Sequence, residues 1–152
     1  MDTLQFVSKE AVIEAAIGFL EEQGRIYGDA LTTPRATAEY LRLRIGGKEH
    51  EVFAVIYLNN QHQVIAVEEL FRGTIDGASV YPREVAKNAL SHNAAAVVFG
   101  HNHPSGIAEP SHADRRITER LSTSLQLLDI RVLDHVIVSS QSSYSFAEHG
   151  LL

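Results

Sequence analysis

The run Ala94–Phe99 is apolar at every position and leads directly into Gly100-His101-Asn102-His103-Pro104. A strand tolerates apolar side chains on both faces only when both faces are covered. The run therefore predicts a central strand, and with it a sheet that has layers packed on either side. Side chains alternate along a strand, so His101 and His103 share one face with Asn102 on the other, and the two imidazoles can reach one ion. Pro104 removes a ladder donor and ends the strand. The seven residues between His103 and Ser111 include Pro104, Gly106 and Pro110, which force a defined loop.

Order resumes at Ser111-His112-Ala113-Asp114, an S-x-x-D capping pattern followed at helical spacing by Ile117, Leu121, Leu125 and Leu128. Asp114 then lies in the first helical turn, close to where the strand stopped. Two neutral imidazoles and one carboxylate form a three-ligand set with a fourth position open to water, the arrangement of catalytic rather than structural zinc. Taken singly, a surface His-x-His is ordinarily solvated and S-x-x-D is ordinarily only a cap. Their conjunction at the end of a buried strand is much rarer by chance.

His101-x-His103-Pro104, seven residues to Ser111, then x-x-Asp114, resembles the JAMM motif of the MPN-plus metalloproteases. A closer resemblance is to the bacterial RadC-like proteins. It runs from about Thr33 to Leu152, through Phe71-Arg72-Gly73-Thr74, Val80-Tyr81-Pro82-Arg83-Glu84, His101 to Gly106, Asp134-His135 and Ser145-Phe146. The resemblance implies a JAMM/MPN, cytidine-deaminase-like α/β architecture with a metallohydrolase core over residues 33–152. Longer RadC-like proteins carry a helix-hairpin-helix region ahead of this domain. Residues 1–32 are too short and too acidic to supply it, and read as an N-terminal helical extension of a short form.

The 152 residues fit a single domain. No apolar run reaches the roughly 20 residues of a membrane span and no secretory leader is evident, so the expectation is a soluble, cytoplasmic protein. Zero cysteines exclude a disulfide framework, a cysteine nucleophile and the zinc deaminase signature, whose second half is Pro-Cys-x-x-Cys. The 13 basic residues are scattered and outnumbered by 19 acidic ones, for a formal charge of −6. That balance argues against a phosphate-tracking surface, and no strong nucleic-acid binding is expected of this domain.

In chain order, Val12, Ile13, Ala16, Ile17 and Leu20 trace one face of a helix from Ser8 to Gln23, with Ser8 as N-cap and Gly24 as the stop. This helix packs on the domain or on a second copy, so a homodimer is among the expected assemblies. Thr33-Pro34 opens a second helix that ends at Gly46-Gly47. Glu51 to Leu58 reads as a strand, Asn59-Asn60 as a turn and Val64 to Val67 as the returning strand. Tyr81-Pro82 starts a third helix through Leu90, and two β-like pieces follow the metal loop and its helix, Arg131 to Val138 and Tyr144 to Phe146. This order predicts a mixed β-sheet covered by helices.

Peptide hydrolysis at a metal also needs a carboxylate to take a proton from water and pass it to the leaving amine. By residues alone Glu51, Glu68, Glu69 and Glu109 compete for that task. The resemblance implies Glu51, because the JAMM glutamate lies on an early strand upstream of the His-x-His. Ser111 has two jobs open to it, capping the helix and donating to a developing oxyanion. Asp134-His135 reads as a buried pair or as a contact orienting a ligand. His50, His62, His92 and His112 lack partners at ligand spacing and read as solvated. The leading expectation is a hydrolase with one zinc ion per chain, held by His101, His103 and Asp114, with Glu51 as base and then acid, acting on a peptide or isopeptide bond of a protein substrate. The alternative is a DNA-repair-associated protein whose metal site is a nuclease or does not turn over.

Overall fold

A computed structural model describes residues 8–22, 33–73 and 80–152. Its strands are β1 (Val52–Leu58), β2 (Val64–Arg72), β3 (Ala96–Asn102), β4 (Arg131–Val138) and β5 (Ser143–Ser145), and its helices are α1 (Lys9–Glu22), α2 (Pro34–Ile45), α3 (Pro82–Ser91) and α4 (His112–Gln126). The strands form one mixed sheet in the order β2-β1-β3-β4-β5. Only β3 and β4 run parallel, and α4 is the crossover between them.

All seven residues of β1 and all seven of β3 are buried, as the apolar runs require of interior strands. On one face Ala54, Ile56, Val98 and Val136 pack with Tyr40, Leu41 and Ile45 of α2, and Ile17 of α1 joins them. On the other face Phe53, Val55, Val97 and Phe99 pack with Val85 and Ala89 of α3 and with Ile117, Leu121 and Leu125 of α4. Leu128, expected to continue the α4 stripe, lies past the helix end and is exposed. The result is a helix–sheet–helix sandwich, the mixed sheet covered by helices that the element order predicts. Ser8 Oγ accepts a hydrogen bond from Ala11 N at 3.1 Å, so it does cap α1, whereas the expected stop at Gly24 lies outside the described residues. Among the described residues, no helix is long and apolar enough to cross a membrane.

Strand β2 is longer than expected and continues five residues past Val67 to Arg72. Glu68-Glu69 hides it from a pattern reading, because two adjacent carboxylates do not look like strand. In the fold they point to opposite faces, Glu68 toward His92, just past the end of α3, at 2.8 Å and Glu69 toward Arg44 and Lys48 at 3.5 and 3.8 Å. Just beyond, the register passes from Ala54↔Glu69 to Phe53↔Phe71, which leaves Leu70 as the extra residue of a bulge. Leu70 and Phe71 consequently both pack on the Phe53 face.

The glycine before the first motif histidine has a packing reason. A Cβ built on Gly100 would lie 2.6 Å and 2.7 Å from the two methyl carbons of Leu41, so α2 rests directly on β3 there. Gly100→Val should therefore overpack a filled layer and cost about 1–3 kcal/mol. Urea unfolding of the variant measures it, and an unchanged midpoint would mean that Leu41 has room to move aside.

Candidate metal centre

His101 occupies the penultimate position of β3, opposite Phe53 of β1, and its side chain is fully buried. His103 follows the strand end, where its backbone N–H still bonds Val138 O at 2.9 Å. Alternation thus brings both imidazoles to the α4 face, and their Nε2 atoms lie 2.9 Å apart. The loop then turns back on itself. Gly106 adopts φ +92°, a conformation open to glycine, and its N–H bonds His103 O at 3.0 Å. This brings Ile107 O within 2.9 Å of His103 Nδ1, which must donate to it, so neutral His103 presents a bare Nε2 to the cluster.

The capping box at Ser111 is fully formed. Ser111 Oγ accepts from Asp114 N at 3.1 Å, and Asp114 Oδ2 accepts from Ser111 N at 2.8 Å. The same carboxylate closes the cluster, with Oδ1 3.3 Å from His101 Nε2 and Oδ2 3.2 Å from His103 Nε2. Asp114 is only 2% exposed. One ligand atom from each of the three residues lies within 4.8 Å of the other two. Burial works against the Asp114 carboxylate, yet the hydrogen bonds that His101 and His103 can give it when their rings are protonated, together with the Ser111 N–H, outweigh that and hold it well below the usual carboxylate range. Burial pulls His101 down, while the bond that protonated His103 can give to Asp114 pushes His103 up. The centre therefore gathers one carboxylate and two imidazole nitrogens, with His101 and Asp114 buried and His103 partly exposed, a donor set that suits a borderline transition-metal cation.

Glu51 immediately precedes β1 and is half-buried. By alternation it shares a face with Phe53 and hence with His101. Its charge is near enough to favour protonation of both His101 and His103. The competing carboxylates are engaged or exposed: Glu68 and Glu69 hold the partners given above, and Glu109 is exposed in the metal loop.

The family comparison agrees with this geometry. Residues 31–151 match the model of the RadC-like JAB domain. The chain belongs to that family. It is 59% identical over 141 residues to a UPF0758 protein of Vibrio cholerae, covering 93% of this chain and 88% of the relative. A UPF0758 protein of Nitrosomonas eutropha is 51% identical over 152 residues, covering all of this chain and 67% of the relative. The chain spans 63% of a third, from Thiobacillus denitrificans, at 57% identity.

Within this RadC-like domain several working residues were legible in the sequence only in part or not at all. Of the two readings open for Asp134-His135, a contact on a candidate ligand fits His135 and a side-chain pair does not, because the two buried side chains point to opposite faces. Asp134 accepts from Ser145 Oγ at 2.5 Å and from Ala147 N at 3.0 Å, whereas His135 Nε2 lies 2.7 Å from His101 Nδ1. Its other ring nitrogen is 2.5 Å from Thr118 Oγ1. Three of the histidines expected to be solvated have partners: His92 with Glu68, His50 with Arg72 at 2.9 Å and His62 with Arg131 at 3.1 Å. His112 is exposed, as are Arg115 and Arg116.

Asn102 is the least legible of these residues. Its Oδ1 accepts from Val52 N at 2.7 Å, and its Nδ2 donates to His50 O at 3.0 Å and Lys48 O at 3.3 Å. One buried amide thus ties the segment carrying Glu51 to the strand carrying the histidines. Asn102→Ala leaves a buried N–H without its acceptor and should cost about 1–3 kcal/mol. Chemical denaturation reads that loss, and hydrogen exchange should show faster opening at the Val52 amide. Unchanged stability and protection would show that the clamp holds nothing.

Proposed function

We propose that this domain is a zinc-dependent hydrolase that cleaves a peptide or isopeptide bond in a protein substrate. The observation that carries the reading is the convergence of His101, His103 and Asp114 beside the face that bears Glu51. Bound zinc supplies a Lewis acid that polarises the substrate carbonyl and acidifies a water molecule.

The chain's own residues supply the remaining work. The Glu51 carboxylate takes the proton of the attacking water and delivers it to the leaving amine nitrogen. Ser111 Oγ accepts from Asp114 N through a lone pair, which leaves its O–H to donate to the carbonyl oxygen as negative charge develops. Capping and oxyanion stabilisation are compatible because they use opposite ends of one hydroxyl.

Purified protein should hold about one zinc ion per chain by elemental analysis, and His103→Ala should lose it. Glu51→Gln should keep the zinc and the fold but lose turnover in a peptidase screen. Departure of the metal from that variant would instead make Glu51 a ligand. Metal-dependent DNA cleavage abolished by the same substitution would replace the peptidase reading with a nuclease one.

Ser111→Ala separates the two jobs of the hydroxyl by magnitude. A lost cap costs ~1 kcal/mol of stability, whereas a lost oxyanion donor costs about 10²–10³ in kcat. The expectation is both losses together. A slightly less stable variant with full turnover would leave Ser111 a cap and nothing more.

A further inference from the structure

We propose that His135 and Thr118 are positioning residues that fix the ring tautomer of His101, so that its Nε2 presents a lone pair to the metal ion. The inference rests on the metal-site reading above and adds a relay to it. Its direction is set at one end by a group that cannot donate. Thr118 Oγ1 gives its hydrogen to the backbone carbonyl of Asp114, 2.7 Å away and one helical turn earlier. A hydroxyl has one hydrogen, so toward His135 Nδ1, at 2.5 Å, Thr118 Oγ1 is the acceptor and the ring nitrogen carries the proton.

A neutral imidazole has a single N–H. His135 Nε2 is then the acceptor in its 2.7 Å contact with His101 Nδ1, and His101 must place its own hydrogen on Nδ1. That leaves His101 Nε2 bare, facing His103 and Asp114. The surroundings keep His135 neutral. It is fully buried, with the rings of Phe146, Phe53 and Phe99 at centroid distances of 4.7, 5.7 and 6.0 Å.

The backbone shows how His135 reaches this place. Between the pairs Val97↔Val132 and Val98↔Asp134 the β4 register skips Leu133, a bulge that changes the parity of the strand. Val132 faces the α4 side and Leu133 the α2 side. Unbroken alternation would then turn His135 toward α2, away from His101. The extra residue instead aims His135 at the α4 side and sends Asp134 to Ser145 and Ala147.

The test compares variants that keep or remove the acceptor. Zinc affinity is measured by competition with a chromophoric chelator, the cobalt(II)-loaded proteins are compared by visible absorption, and folding is checked by circular dichroism. His135→Leu, with no acceptor for His101 Nδ1, should bind zinc about 10–100-fold more weakly and show shifted cobalt bands. His135→Gln, whose amide oxygen can accept, should recover most of that loss. At the far end of the relay Thr118→Val should weaken zinc binding and Thr118→Ser should restore it. Equal affinity in the leucine and glutamine variants, whether both strong or both weak, overturns the relay. If His135→Leu fails to fold, the Thr118 pair decides, and equal affinity of valine and serine overturns it. Wild-type protein that binds no zinc would overturn the metal-site reading itself, a failure seen before any variant is compared.

Discussion

Everything about the site follows from β3 being covered on both faces. A strand packed between α2 and the α3–α4 pair has no water along its length, so the first place where polar side chains can gather is its C-terminal end. The parallel crossover through α4 returns the chain to that end, where it starts a helix within reach of the strand's last side chains. Ligand sites of open α/β sheets sit outside the carboxyl ends of strands for the same topological reason. Here the meeting is closed by a single carboxylate. Asp114 Oδ2 completes the helix cap through Ser111 N and faces His103 while Oδ1 faces His101, so one carboxylate serves both the helix start and the site.

That economy has an electrostatic consequence. A carboxylate taken out of water is costly unless it is paired and hydrogen-bonded. Asp114 receives one backbone N–H from Ser111, and its remaining near neighbours are imidazole nitrogens. With His103 Nδ1 committed to Ile107 O, the His103 nitrogen facing the carboxylate is an acceptor in the neutral ring. Acceptors that face one another across 2.9–3.3 Å are poor partners for each other and good partners for a cation.

The legible and illegible parts of the chain divide along the range of the interactions involved. His101, His103, Ser111 and Asp114 could be read because strand alternation, proline and a capping box are local rules, and the loop between them is only seven residues long. The interior strands, the third and fourth helices and β4 were readable for the same reason. Glu51 is less local: from residues alone it was one of four carboxylates, and its place became visible only when β1 paired with β3. His135 could be read only as part of a buried pair or as a contact orienting a ligand, and the choice between them was not legible, because the Leu133 bulge that sets its face is a property of the register between two strands and leaves no mark in the side-chain pattern. Asn102 escaped for a related reason. On a strand read as hydrophobic it looked like the residue between two ligands, and its three bonds run to a segment about fifty positions earlier.

The ligand-bearing positions also differ in how firmly the fold holds them. His101 is inside a buried strand and Asp114 inside the first turn of a helix, so both inherit the rigidity of regular structure. His103 lies one residue beyond the strand, is partly exposed, and takes its ring orientation from a loop carbonyl. The loop that supplies this carbonyl also carries Ile107, which is 63% exposed. A change in the loop that moves Ile107 therefore acts on His103 before it acts on the other two, since it is His103 Nδ1 that donates to that carbonyl. The solvent-facing member of the cluster is thus the one whose ring orientation depends on a loop, whereas His101 and Asp114 are set by a strand and a helix.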